Sequence, residues 1–89
     1  MSVLWTIQYT KSARAEIDNL DGSIRKIIKK VIEEKLMTDP LKFGLSLRRN
    51  LSGFFKLRVG NYRIINKIEK KEIIVLVISV GHRREVYES

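Results

Sequence analysis

Cysteine is absent from this 89-residue chain, which excludes disulfides and thiolate metal sites. Histidine occurs once, at position 82, so a histidine-based metal centre is not expected, and neither is any other cofactor. Gly53, Gly60 and Gly81 stand apart from one another as turn residues, and no glycine-rich loop is available to cradle a phosphate. No apolar run approaches the roughly 20 residues of a membrane helix, so a membrane is not expected among the partners. The first residues, Met-Ser-Val-Leu-Trp, lack the basic region and cleavage site of a signal peptide, and a cytoplasmic location is the expectation.

Acid is also scarce. Ten Asp and Glu stand against 18 Lys and Arg, a net charge of +8. The excess is uneven: residues 1–40 hold seven basic and six acidic side chains, residues 41–89 eleven and four. Such a balance suits a polyanion, an acidic protein or an anionic surface without choosing among them. A hydrophobic fraction of 44% is that of a globular protein, and the length fits a single domain over residues 1–89.

Val3 to Tyr9 is rich in β-formers and reads as a first strand. Thr10 or Ser12 can cap a short helix to about Leu20, with Ala13, Ile17 and Leu20 on one face. Asp21-Gly22 is a turn signal, and Ser23 can cap a second helix through about Thr38. Ile24, Ile27, Ile28, Val31, Ile32 and Leu36 form its apolar stripe, expected to be core. Pro40 stops that helix. Leu41 to Ser46 reads as a loop and Leu47 to Leu51 as a short strand with Arg48 and Arg49 at its exposed edge. A hairpin follows from Phe54 to about Ile68, and Ile73 to Val80 is aliphatic enough for a central strand. The predicted fold is α+β, in the order β-α-α-β-β-β with a further strand possible, both helices lying on one face of a mostly antiparallel sheet.

The hairpin carries the most chemistry. A two-residue Gly60-Asn61 loop fits a type II′ turn and puts Val59 opposite Tyr62 and Arg58 opposite Arg63. Leu57, Val59, Tyr62 and Ile64 then share one face, and Lys56, Arg58 and Arg63 the other. Like charges directly opposed across strands are destabilising, so a solvated basic face competes with an anion site as the explanation. Carboxylates are scattered, and no nucleophile elbow supports a triad through His82. The remaining set, Lys56, Arg58, Arg63, His82, Arg83, Arg84 and Tyr87, is basic and aromatic. It is sufficient for metal-free RNA cleavage by the adjacent 2′-hydroxyl. That reaction needs a base for the hydroxyl proton, cations for the charged phosphorane and an acid for the leaving 5′-oxygen. Arginine presents a fork that matches phosphate oxygens, and a lysine crowded by cations tends to lose its proton more readily.

Leu57-Arg58-Val59-Gly60-Asn61-Tyr62-Arg63-Ile64, then Val77-Ile78-Ser79-Val80-Gly81-His82-Arg83 and Glu85-Val86-Tyr87, resemble the RelE/ParE superfamily of toxins over nearly the whole chain. The His-Arg-Arg-Glu-Val-Tyr segment is similar to the RelE branch. The resemblance implies a RelE-like fold and an mRNA endonuclease acting in the ribosomal A site, restrained by a cognate antitoxin, with ribosome and mRNA as the other partners. It implies Lys56 as general base, Arg58 and Arg63 as cations that bind and neutralise the scissile phosphate, Arg83 as the arginine that assists the leaving group or stabilises the transition state, and Tyr87 as the tyrosine that packs on or orients the nucleotide. Arg48, Arg49, His82 and Arg84 are secondary RNA-binding candidates. Arg58 stands where some members carry lysine, which keeps the charge but removes an easily deprotonated amine. A ParE-like toxin acting on DNA gyrase, or a basic RNA-binding module without catalysis, are the alternatives.

Overall fold

The computed structural model describes residues 4–43, 45–46 and 53–82. In chain order these form β1 (Thr6–Tyr9), α1 (Lys11–Asp18), α2 (Gly22–Val31), a π-helical segment (Ile32–Leu36), α3 (Pro40–Phe43), β2 (Leu45–Ser46), β3 (Phe54–Val59), β4 (Tyr62–Glu69) and β5 (Ile74–His82). The strands make one sheet in the order β1-β5-β4-β3-β2. β1 runs parallel to β5, and the other neighbours are antiparallel. The expected α+β architecture is present, with the aliphatic β5 in the interior of the sheet.

Burial of one apolar face explains the layering. Ala13 and Ile17 from α1 meet Ile28, Ile32 and Leu36 from the second helical stretch over Leu57, Ile64, Val75, Val77 and Val80 of the sheet. The apolar stripe of the second helix is therefore core along most of its length. Ile27 is the exception: it lies at the edge of the stripe and is 52% exposed. The long second helix is also not uniform. Beyond Val31 the Met37 N–H reaches back five residues to the Ile32 carbonyl, at 3.1 Å. The wider turn is tolerated because Ile32 and Leu36 both remain fully buried.

Thr10 caps α1 as expected, its hydroxyl accepting from the Ala13 N–H at 3.0 Å. At α2 the cap is Asp21 and not Ser23, because the chain turns helical two residues earlier than the serine signal suggests. The segment after Asp39, expected as a loop, contains α3. Pro40 opens it, a position where a missing N–H costs nothing. β2 then pairs Leu45 with Lys56 and Ser46 with Phe55. The strand expected over Leu47 to Leu51, with Arg48 and Arg49, lies outside the described residues.

Two backbone details set which side chains share a face. At the β3–β4 turn Gly60 has φ +58° and Asn61 is not in the positive region, as a type II′ turn requires. In β5 a bulge interrupts the ladder: Ile65 pairs with Ser79 but Asn66 pairs with Val77, which leaves Ile78 as the extra residue. The bulge exchanges the two faces of β5, so Val75 and Val77 before it and Val80 after it all point to the helices. Thr10 holds this irregularity from outside the sheet, its hydroxyl donating to the Ile78 carbonyl at 3.0 Å. The next unpaired donor on that edge, the Val80 N–H, is taken by Oε1 of Glu16 on α1 at 2.9 Å.

Candidate active site

The face of the sheet opposite the helices carries the cations. On β3, Lys56 and Arg58 lie two residues apart and so point the same way. Across the ladder Arg58 pairs with Arg63, and Arg63 pairs in turn with Gly81, which makes one rung of two guanidinium groups and a residue without a side chain. The neighbouring rung on that face is Lys56, Ile65 and Ser79. The register expected from the two-residue loop is therefore the one found, and Lys56, Arg58 and Arg63 are brought together.

Their surroundings differ more than an evenly solvated basic face would allow. Arg58 is exposed and Lys56 half-buried, while Arg63 is only 8% exposed and its Nε is shut off from solvent. A cation fixed in such a sheltered place acts on a bound anion more strongly than one in water and needs little rearrangement to do so.

The other candidates separate. His82 pairs across the ladder with Tyr62, and their rings meet edge to face at 5.5 Å with 78° between planes. Because of the bulge this rung lies on the helix side, away from Lys56, Arg58 and Arg63. There the two rings border an open groove of about 430 Å³ formed with Glu16, Asn19, Leu20 and Asp21. Reasoning from the sequence missed this groove. Glu16 reads locally as one more surface carboxylate, and its bond to Val80 joins residues 64 apart in the chain. Arg83, Arg84 and Tyr87, like Arg48 and Arg49, lie outside the described residues.

Comparisons with known proteins agree on the kind of molecule. The profile of the family described as "ParE toxin of type II toxin-antitoxin system, parDE" matches residues 7–87. Toxin RelG of Mycobacterium tuberculosis is 31% identical over 83 residues, covering 93% of this chain and 95% of that protein. Toxin RelE3 of Methanocaldococcus jannaschii is 29% identical over 85 residues, covering 92% and 94%. Among solved structures, the M. tuberculosis RelBE2 toxin–antitoxin complex superimposes with a TM-score of 0.84 at 32% identity, covering 91% of this chain and 93% of that one.

Proposed function

Since the chain belongs to the RelE/ParE family of toxins of type II toxin–antitoxin systems, we propose that it is a ribosome-dependent mRNA endonuclease whose site is the cationic face of β3 and β4. The observation that supports this best is the Arg58–Arg63 rung, one cation exposed and one sheltered, with Lys56 beside it on the same face. In this reading the scissile phosphate docks against the two arginines. Lys56 in its neutral form takes the proton of the 2′-hydroxyl, and the freed oxygen attacks the adjacent phosphorus. Arg58 and Arg63 hold the charge that accumulates on the phosphorane. The bond to the 5′-oxygen breaks as that oxygen takes a proton from solvent water, Arg83 holding the charge at the leaving group and Tyr87 lying against the nucleotide, while protonated Lys56 later returns its proton to solvent. The products are a 2′,3′-cyclic phosphate and a 5′-hydroxyl, and the proton balance closes without a metal. Arg48, Arg49 and Arg84 add phosphate contacts that carry no sequence information.

The partner proposed for the resting state is a cognate antitoxin. The solved relatives include toxin–antitoxin complexes, and the +7 charge of residues 41–89 calls for an acidic or amphipathic segment over part of the basic face. A second reading follows from the matched family's description as ParE toxins: inhibition of DNA gyrase by binding, with no RNA product.

The test is a cell-free translation reaction with mRNA ends mapped by primer extension, run beside a ribosome-free reaction and an Arg58→Ala variant. Arg58 is exposed, so its loss leaves the fold intact. Cuts within codons that need ribosomes and fall by about a hundredfold or more in the variant are the expected result, the scale of losing one group that stabilises transition-state charge. Cuts on free RNA would remove the ribosome from the mechanism. Intact mRNA from folded, antitoxin-free protein would overturn the nuclease and make gyrase supercoiling the next assay.

A further inference from the structure

The cationic face does not end at Lys56. Side chains on one face of a strand recur every second residue, about 6.8 Å apart. The next rung on this face, beyond Lys56, Ile65 and Ser79, pairs Phe54 with Lys67 and Lys67 with Leu76. Its place is fixed from the strand end, where the Ile68 N–H donates to the Gly53 carbonyl at 3.0 Å and carries the ladder one step past Phe54. Phe54 and Leu76 are half-buried, so their apolar surface is neither sealed in the core nor fully solvated. The Lys67 ammonium stands over the Phe54 ring, 5.7 Å from its centroid, and lies 3.2 Å from a carboxylate oxygen of Glu69.

Three consecutive rungs therefore carry two guanidinium groups, then a lysine, then an aromatic ring with a second lysine across from it. Cations alone would suit any polyanion, and the ring narrows the choice. Single-stranded nucleic acid alternates a phosphate with a flat base. Proteins that hold it combine a basic track along the backbone with aromatic rings on which bases stack. An acidic peptide matches the charge and brings no flat base. Lys67 is placed to change partner: both side chains of its ion pair are 40% exposed, and a pair that open to water is held weakly. A phosphate beside the Phe54 ring can draw the ammonium from Glu69. Glu69 also bounds the track. It lies two residues beyond Lys67 on the same strand face, and its carboxylate repels a phosphate. The track thus runs from the Arg58–Arg63 rung to Phe54, about 14 Å over four residues of β3, and stops there.

We infer that Phe54 and Lys67 form a nucleotide subsite for single-stranded RNA, Phe54 stacking on a base and Lys67 leaving Glu69 for the adjoining phosphate. Its place beside a scissile bond rests on the proposed nuclease function; the binding of the strand does not. The experiment measures binding of the full-length protein to a fluorescein-labelled, fully 2′-O-methylated RNA oligonucleotide, by anisotropy over a series of salt concentrations. Methylation removes the attacking hydroxyl, so binding is read without cleavage. Phe54→Leu, which keeps an apolar side chain, should bind about tenfold more weakly with the salt slope unchanged. Phe54→Tyr, which keeps the ring, should stay within about twofold of the parent. Lys67→Gln should weaken binding and lower the slope of log K against log salt by about 0.7, the share of one phosphate contact on a single strand. Parent-like binding by Phe54→Leu, or equal losses in the leucine and tyrosine variants, would overturn the subsite. So would a parent protein that does not bind the oligonucleotide. A polyglutamate peptide whose binding falls as far in Phe54→Leu would overturn it too, marking the rung as the contact of an acidic protein. Phe54-dependent binding with intact mRNA in the translation assay would sink the nuclease reading and leave the subsite standing. Ribosome-dependent cuts with no effect of Phe54→Leu in either assay would do the reverse.

Discussion

Replacing Thr10 with valine removes one oxygen and keeps the side-chain shape, yet two elements depend on that oxygen. As an acceptor it satisfies the Ala13 N–H at the start of α1, at 3.0 Å; as a donor it satisfies the carbonyl of the bulge residue Ile78, also at 3.0 Å. Losing an N-cap acceptor costs about 1 kcal/mol. Leaving a part-buried carbonyl without its donor costs about 1–2 kcal/mol more. The sum, about 2–3 kcal/mol, is a large fraction of the roughly 4–13 kcal/mol that holds a domain of this size together. It corresponds to a fall in Tm of about 10–20 °C. Equilibrium unfolding in urea is the assay, with unchanged m-values as the check that only the native state is affected. Thr10→Ser keeps both hydrogen bonds and should lose less than about 1 kcal/mol. A Thr10→Val variant within about 0.5 kcal/mol of the parent, or a serine variant as unstable as the valine one, would refute the claim that this hydroxyl ties α1 to the bulge.

Other expectations follow from single observations. Tyr9 has its phenol pushed above the usual range, first by burial and then by the charge of Glu33, with Arg14 opposing. The folded state therefore keeps the proton more tightly than the unfolded chain, and the associated stability is complete below about pH 10 and lost as pH rises through the folded value. Stability against pH should decline there, and Tyr9→Phe should remove that part of the decline. Asn66 is fully buried; among the described residues its Oδ1 is unmatched, and its Nδ2 donates to the Ile64 carbonyl at 3.3 Å. Asn66→Leu should raise stability by about 1 kcal/mol in urea unfolding, and a loss of that size would mean the oxygen has a buried water for company. Gly60 has open space around an added Cβ, so Gly60→Ala isolates the strain of a side chain at φ +58°, about 1–2 kcal/mol by the same measurement.

Much of this molecule is legible locally. The two-residue Gly60-Asn61 loop sets the pairing of Val59 with Tyr62 and so joins Arg58 to Arg63 and puts Lys56 on their face, because hairpin register follows from loop length and side chains alternate strictly along a strand. The α1 cap, most of the stripe that buries Ile28, Ile32 and Leu36, and the interior position of β5 follow from similarly short-range patterns. Errors fall where local signals compete: Asp21 displaced Ser23 as the α2 cap, and Pro40 began a helix where a loop was expected.

Tertiary structure decided the rest. The extra residue at Ile78 reverses the faces of β5, so His82 turns to the helices beside Tyr62 and Gly81 comes to lie opposite Arg63. Strict alternation from Val75 would have assigned them the other way round. Thr10 and Glu16, more than 60 residues earlier, satisfy backbone groups of β5 at and beside the bulge. Amino-acid order by itself supplied the cations and their spacing. Only the folded sheet decided which of them is sheltered, which is exposed, and that the histidine belongs to a different groove, because each of these depends on contacts between segments whose separation in sequence carries no local signal.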